Sequence, residues 1–443
     1  MRDLLLLAFI AASLLATLRY PYIGLLLWGW FTLATPQQSV YFASQIPLNV
    51  VIAAVTFASF FFHGEIRRAR LETVSVFLLL FMTWLGVSHM MSLDQSLSAE
   101  PTERFIKVLI FVFACMMVTT DKLRLHAMLW LLALVMGFYG AKGAVYTIVK
   151  LGGGLYMGQA ETILEDNNHI GIALAASLPL FLYLQGQARH GLVKRGLQAV
   201  FVMSIIAILG THSRGAFVSL VVFGGVMWLY SRHKVKIAIA VAILSIPTVM
   251  LLPQEWTDRM ETIADAGEDQ SFQGRVDAWV INWKLALEHP VTGAGLRTSY
   301  EEHVARQVEM FREPRAAHSI YFEVLGGAGF VGLFFYLGMI GAAWLKAFGA
   351  QMKYRHAERD RWRSDFGKHA QISLVTFCFG ALSVSMEMWE GYLIVIALIS
   401  VLGKISPVQT REKNPLVRAR QDRERARFRA RYVRSEDKAA AAR

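Results

Sequence analysis

Charged side chains make up only 18% of the 443 residues, well under the roughly 25% of an ordinary soluble domain. Cysteine is scarce too. Cys115 and Cys378 are the whole complement, and both lie in apolar runs. That excludes a disulfide scaffold, and both read as packing residues. No two aspartates stand two apart anywhere in the chain, so the usual motif for a metal and a nucleotide sugar is missing. No GxxxxGK[ST] loop is present either, so nucleotide energy is not implied. Met1–Leu18 is followed by no small-residue cleavage site before the next apolar run, and reads as a retained span. Internal repeats and inverted two-half symmetry are absent, which disfavours many transporter folds.

What is present is apolar surface. Hydrophobic residues make up 55% of the chain, in blocks of about 15–25 separated by short polar clusters, the pattern of a polytopic membrane protein. The expected fold is all-α. About twelve transmembrane helices are expected from thirteen apolar segments between residues 4 and 404, among them 168–184, 215–230, 236–252, 328–348, 370–386 and 391–404. The short neighbours 4–18 and 22–35, split by Arg19, decide the count. The expected organisation is a membrane bundle over 1–252, a periplasmic loop region with amphipathic helices over 253–327, further spans over 328–404 and a basic cytoplasmic tail over 405–443.

The formal charge of +12 is unevenly placed. Residues 404–443 hold thirteen Lys/Arg and five Asp/Glu, and Lys346–His369 hold seven against three, which together account for the whole excess. Residues 253–317 hold seven against twelve. Basic loops beside spans are retained in the cytoplasm, whereas acidic loops cross freely. The excess is therefore a topology signal and an attraction for anionic membrane lipids rather than a nucleic-acid footprint. Alternation then puts loops 91–104, 150–167 and 253–327 outside.

Four polar clusters fall at that outer face, where polar groups at membrane ends are functional candidates. The first is Glu165-Asp166-Asn167-Asn168-His169, in which Asp166 or Asn167 suits a helix N-cap while Asn168 and His169 can serve a second role. The second is Thr211-His212-Ser213-Arg214-Gly215, where the polar neighbours and the small Gly215 suggest a tight turn aiming Arg214 into a cavity. The third is Gln273-Gly274-Arg275 followed by Trp279, Trp283, Pro290, Gly293, Gly295 and Arg297. Its arginine and tryptophans share a helix face that can lie on the membrane surface. The fourth is Ala317-His318-Ser319-Ile320-Tyr321, running into Gly326, Gly327 and Gly329.

These residues suit chemistry on a diphosphate. Guanidinium groups bind phosphate oxygens bidentately and stay charged. A sugar linked through pyrophosphate to a lipid would place its diphosphate within reach of Arg214 and Arg275. Negative charge developing on the departing diphosphate would be stabilised there. His318, as a neutral imidazole, could take the proton from an attacking hydroxyl.

The ordered set Thr211-His212-Ser213-Arg214-Gly215, then Gly274-Arg275 with Trp279 through Pro290-Val291-Thr292-Gly293-Ala294-Gly295, then Ala317-His318-Ser319 with Gly329 and Gly332, resembles the O-antigen ligase and polymerase superfamily. The resemblance covers about residues 165–335. It implies a polytopic glycosyltransferase of the bacterial inner membrane with its active site facing the periplasm. The implied donor is an undecaprenyl-pyrophosphate glycan, and the implied transfer is metal-independent and inverting. For a ligase the acceptor would be the lipid A–core oligosaccharide.

By motif, Arg214 and Arg275 match the diphosphate-binding arginines and His318 the histidine that activates the acceptor. These three are the candidate catalytic residues. Arg214, Arg275, Arg297, Ser213, Asn168 and His169 are the candidate substrate-binding residues, and no cofactor or metal is expected. Ser319 stands where many members have asparagine. The EDNNH cluster is similar to that of a subgroup of O-glycosylation ligases, so the acceptor could be a protein. A polymerase, using a second lipid-linked glycan as acceptor, is the nearest alternative. A lipid or sugar transporter is the more distant one, disfavoured because the informative charges sit at the outer ends rather than at the midplane.

Overall fold

The computed structural model describes residues 2–40, 46–65, 71–231, 234–235 and 270–405. The chain divides into a unit over Met1–Lys404 and a second over Ile405–Arg443. Of the second, only Ile405 is described. The apolar segment expected over 236–252 and the basic tail beyond 405 lie outside the described residues.

Every regular element among the described residues is helical. In order they are α1 (Arg2–Arg19), α2 (Pro21–Ala34), α3 (Leu48–Phe62), α4 (Thr73–Met90), α5 (Gln95–Val118), α6 (Lys122–Val149) and α7 (Asn167–Gln187). There follow α8 (Gly191–Gly210), α9 (Arg214–Tyr230), α10 (Gln270–Glu288), the short α11 (Glu302–Ala305), α12 (Ile320–Tyr354), α13 (Arg361–Gly380) and α14 (Glu390–Ser400). The chain is divided at Arg19 as the sequence suggests. Pro21 opens α2 as its first residue, where its missing N–H costs nothing.

Among the described residues, α4, α6, α7, α8 and α12 are long and apolar enough to cross a membrane. With its 28 residues α6 is about 42 Å long, against a hydrocarbon core of about 30 Å. The apolar helices α2, α3, α9 and α14 have 10–17 residues each. At 11 residues α14 spans about 16 Å, roughly half the core. Among the described residues, length and apolarity thus mark five helices as able to cross, fewer than the dozen that the apolar segments of the whole chain suggest. Large apolar side chains such as Phe62, Leu123, Leu134, Phe138 and Phe334 point outward. On a multi-pass membrane protein such side chains face lipid, whereas on a soluble one they would be a liability.

The longest helix departs from the sequence reading. The apolar run expected from residue 328 is helical from Ile320 onward, and it breaks at Gly329, with φ 70° and ψ −176°. Only glycine reaches that conformation without steric cost, and a Cβ there would meet the Val291 carbonyl oxygen at 2.4 Å. The break frees carbonyl groups that a continuous helix would use. Ala294 and Gly295 donate their N–H groups to the carbonyls of Gly326 and Gly327, at 2.8 and 2.9 Å. The Trp84 indole and the Ser88 hydroxyl of α4 donate to the carbonyls of Ala328 and Gly327. The segment after α10 is thereby stitched to α12 and α4.

That segment also has a small core of its own. Ile281, Leu285, Ala294, Val304 and Ala305 bury one another, with Val308 against them. Arg312 pairs with Asp277, and Lys284 with Glu309 at 2.8 Å. The chain between α10 and α12 is therefore a packed structure. His318 is presented from a fixed support.

Candidate functional site

The first side of the site is built on the N-terminus of α7. Asp166 caps this helix, accepting from the N–H groups of Asn168 at 2.8 Å and His169 at 3.3 Å, so the capping expectation holds. The same carboxylate oxygen holds the Asn168 amide nitrogen at 2.9 Å. With its nitrogen engaged, Asn168 turns its oxygen outward and accepts from the Ser213 hydroxyl at 2.6 Å. Asn167 donates to the Thr211 carbonyl at 2.8 Å. Two adjacent asparagines thus bind the α8–α9 turn from one side.

Ser213 is itself the cap of α9. Its oxygen accepts from the Ala216 N–H at 3.1 Å, and Arg214 is the first helical residue. The sharp turn ahead of it is made elsewhere than the sequence suggests. His212 takes the left-handed conformation, φ 50°, and its Nε2 lies 2.9 Å from the Gly152 carbonyl. Gly215 is helical. Its smallness instead admits Ser383, whose hydroxyl oxygen would lie 2.3 Å from any added Cβ.

His169 holds the Ile163 carbonyl through Nδ1 at 2.6 Å, which makes Nδ1 the protonated nitrogen and Nε2 an acceptor. That Nε2 is buried and without a partner. An unpartnered acceptor in such a place suits a donor group from a ligand or a water.

The second side comes from α10 and the start of α12. The Arg315 guanidinium lies against Gly274, next to Arg275. Trp279 stacks on Phe322 with centroids 5.3 Å apart and planes 9° from parallel. Its indole N–H donates to the Ala317 carbonyl at 2.7 Å. Trp279 is therefore turned toward α12 rather than laid on a membrane surface. Trp283 packs edge-on against Phe330 and stays 45% exposed.

His318 follows Ala317 in the left-handed conformation, φ 45°. For a non-glycine residue this is strained, and strain of this kind collects at functional sites. Burial pushes the imidazole below its ordinary value near 6.5. Arg275, His169 and Arg315 push it the same way, while Asp166 opposes them. The ring is thus neutral at pH 7 and can accept a proton. Arg275, His169 and Asp166 thus act electrostatically on His318, which brings the first, third and fourth sequence clusters into one neighbourhood. The second joins them through the Ser213–Asn168 bond.

Beneath the His318 loop lies a buried acidic group that sequence reasoning missed. One oxygen of Glu323 accepts from the Ala317 N–H at 2.8 Å, the Tyr300 hydroxyl at 2.7 Å and the Ser385 hydroxyl at 2.6 Å. Burial pushes the Tyr300 phenol well up, and Glu323 and Glu387 add to it. Arg297, a candidate for substrate, pairs with Glu387 at 3.5 Å. Its Nε and the second Glu387 oxygen are buried without partners. Glu323 and Glu387 did carry a sequence signal: each is a lone acid in or beside an apolar segment, an expensive position that marks function or structure.

Among the described residues no three His, Cys, Asp or Glu side chains are grouped to hold a metal ion. Cations at the site come from Arg275 and Arg315, with Arg214 one residue beyond the Ser213 cap.

Comparison with known proteins divides the chain in two. Residues 1–189 match a family of unknown function. Residues 199–337 match a family described as O-antigen ligase, whose members are glycosyltransferase-like enzymes of O-antigen processing. No curated protein matches the chain. The matched segment contains Arg214, Arg275, Arg297 and His318, together with the broken helix that supports them. Over residues 199–337 the match supports the O-antigen ligase and polymerase superfamily.

Proposed function

We propose that the protein is an O-antigen ligase. It transfers a glycan from an undecaprenyl-pyrophosphate donor to the lipid A–core oligosaccharide, at the periplasmic face of the inner membrane. The observation that carries this reading is His318, half-buried in a strained left-handed turn, with its imidazole pushed below the ordinary value by burial and by Arg275. A neutral imidazole among cations is a base placed where an anionic leaving group would lie.

In this reading Arg214 and Arg275 grip the two phosphates. The acceptor hydroxyl gives its proton to His318, and its oxygen attacks the anomeric carbon on the face opposite the diphosphate. The bond from that carbon to the diphosphate oxygen breaks, and configuration inverts. Charge released onto the diphosphate is met by guanidinium groups in a low-dielectric setting, where such stabilisation is strongest. The arginines supply the positive charge, so the transfer is expected to proceed without a metal. Asn168, Ser213 and His169 line the approach, with the unpartnered His169 Nε2 offering an acceptor to a sugar hydroxyl.

The test is a reconstituted reaction with a lipid-pyrophosphate glycan and lipid A–core, run with and without chelator. Product on lipid A–core in the presence of chelator supports the ligase. Product only on a second lipid-linked glycan, or on a protein acceptor, replaces it with the polymerase or protein ligase of the same superfamily. Movement of the glycan lipid without any new glycosidic bond would replace it with a transporter.

Orientation is tested separately. A cysteine at Phe311, exposed in the loop before His318, should label from the periplasm. One at Lys353, at the far end of α12, should label only after the inner membrane is permeabilised. The reverse pattern would remove the site from the periplasmic face.

A further inference from the structure

Ala317, the residue just before His318, is held through both of its backbone polar groups. The N–H of Ala317 donates to the Glu323 carboxylate at 2.8 Å, and its carbonyl accepts from the Trp279 indole at 2.7 Å. Ala317, Ser319 and Glu323 are all at most 2% exposed. Glu323 is in turn fixed by the hydroxyls of Tyr300 and Ser385. Trp279 is fixed by its stack on Phe322. The residue that emerges from this grip is His318, in a left-handed conformation that a free chain would leave.

A cap geometry alone does not explain the arrangement. Ser319 occupies the N-cap position of α12, yet its side chain makes no capping bond. A carboxylate one turn into the helix takes the N–H of Ala317 instead, at the residue preceding the histidine. The two bonds grip the two peptide groups that flank the Ala317 Cα, and both are aimed at backbone rather than at solvent.

We infer that Glu323 and Trp279 are positioning residues for His318, together imposing the left-handed backbone that directs its ring toward Arg275 and the acceptor hydroxyl. The inference rests on the reading of His318 as the base. It adds that reactivity is set by groups that never touch substrate. Tyr300 and Ser385 act one step further back, by fixing the carboxylate.

The experiment uses the purified full-length protein with Trp279→Phe and Glu323→Gln, beside His318→Ala. Trp279→Phe keeps an aromatic ring on Phe322 and deletes only the indole donor. Glu323→Gln keeps the volume and weakens the acceptor. Each should lower kcat roughly 10- to 100-fold, the scale of loss when a reacting group is misplaced by about 1 Å. KM for the donor should stay unchanged, because Arg214 and Arg275 hold the diphosphate.

A second readout separates positioning from mere support. A ring that swings away loses its shielding from water and the repulsion of Arg275 and Arg315, which together outweigh the attraction of Asp166. The acid limb of the kcat/KM profile should therefore move up toward the ordinary histidine value. A simple loss of folded protein leaves that limb in place.

If both variants fold with wild-type kcat and an unmoved acid limb while His318→Ala is inactive, the positioning role is overturned and the base survives. If both lose folded protein while the folded remainder works normally, Glu323 and Trp279 are structural only, and the inference is again overturned. Should His318→Ala keep its turnover, the base reading itself fails, whatever the other two variants do.

Discussion

Two polar regions meet at Ala317, and they differ in charge balance. On one side, His318 feels Arg275, Arg315 and His169, with Asp166 opposing them and Glu313 paired with Arg315 at 2.7 Å. On the other, Arg297 faces Glu387, and Glu323 is saturated by two hydroxyls and a backbone N–H. Both are dense with hydrogen bonds. Only the first sets guanidinium groups near an imidazole that stays partly exposed, the combination an incoming diphosphate and an acceptor hydroxyl would use. The second sets two buried carboxylates, Glu323 and Glu387, against the single guanidinium of Arg297, so it has no positive charge to spare. Polar density in a membrane protein is therefore a poor guide to a reacting centre until its charges are balanced against one another.

The largest expected effect tests the open side. His318→Ala should cost on the order of 10²–10⁴ in turnover, the usual contribution of positioned proton transfer. Donor binding should survive. The wild-type rate should fall as pH drops through the lowered imidazole value, because only the neutral ring is a base. The acid limb should thus lie below the unperturbed value of about 6.5. Glycan transfer measured from pH 5 to 8 checks this, and a limb above the unperturbed value contradicts the burial seen around the ring.

Next come the arginines. Arg214→Lys and Arg275→Lys should each lose about 10²-fold in turnover, since a point charge cannot reproduce a bidentate fork. Near-wild-type turnover with normal donor affinity in either variant takes that arginine out of the diphosphate site.

The comparison is sharpened by changing the closed side. Arg297→Met should leave Glu387 buried and unanswered, at a cost of about 2 kcal/mol of stability. Thermal unfolding should report that loss, with donor affinity retained in the folded fraction. A variant that keeps its stability but loses donor affinity would move Arg297 to the open side, as the sequence proposes.

The smallest effect is at the hinge between clusters. Ser213→Ala removes the α9 cap and the bond to Asn168, at about 1 kcal/mol. A fall in donor affinity beyond that loss of stability would show that the Ser213–Asn168 bond also aims Arg214.

Much of the helical framework was legible, because a lipid solvent leaves the backbone few alternatives. Arg19, Asp166 and Ser213 all mark boundaries that the structure keeps. The misreadings have a common cause. Hydropathy placed the start of the last long span at 328, because Glu323 and Tyr321 look too polar for it. Their polarity is met by Ser385, Tyr300 and the Cys378 carbonyl, none of them near in sequence. Gly215 passed for a turn residue because its distant neighbour, Ser383, was invisible. Trp279 suited either a membrane surface or packing, because helical spacing tells which residues share a face, not what that face meets.

The sequence by itself determined that this chain is helical and built for a membrane, and that Arg214, Arg275 and His318 are its chemical candidates. Periodicity, charge placement and residue type are local properties, and they need no partner to be read. Only the tertiary structure decided which candidates stand together. It brought Arg275, His169 and His318 into one neighbourhood, paired Arg297 with Glu387, and set His318 in a left-handed backbone above Glu323. Those outcomes depend on contacts between residues tens to hundreds of positions apart, made possible by a helix that breaks at Gly329 and lends its carbonyls to a distant loop.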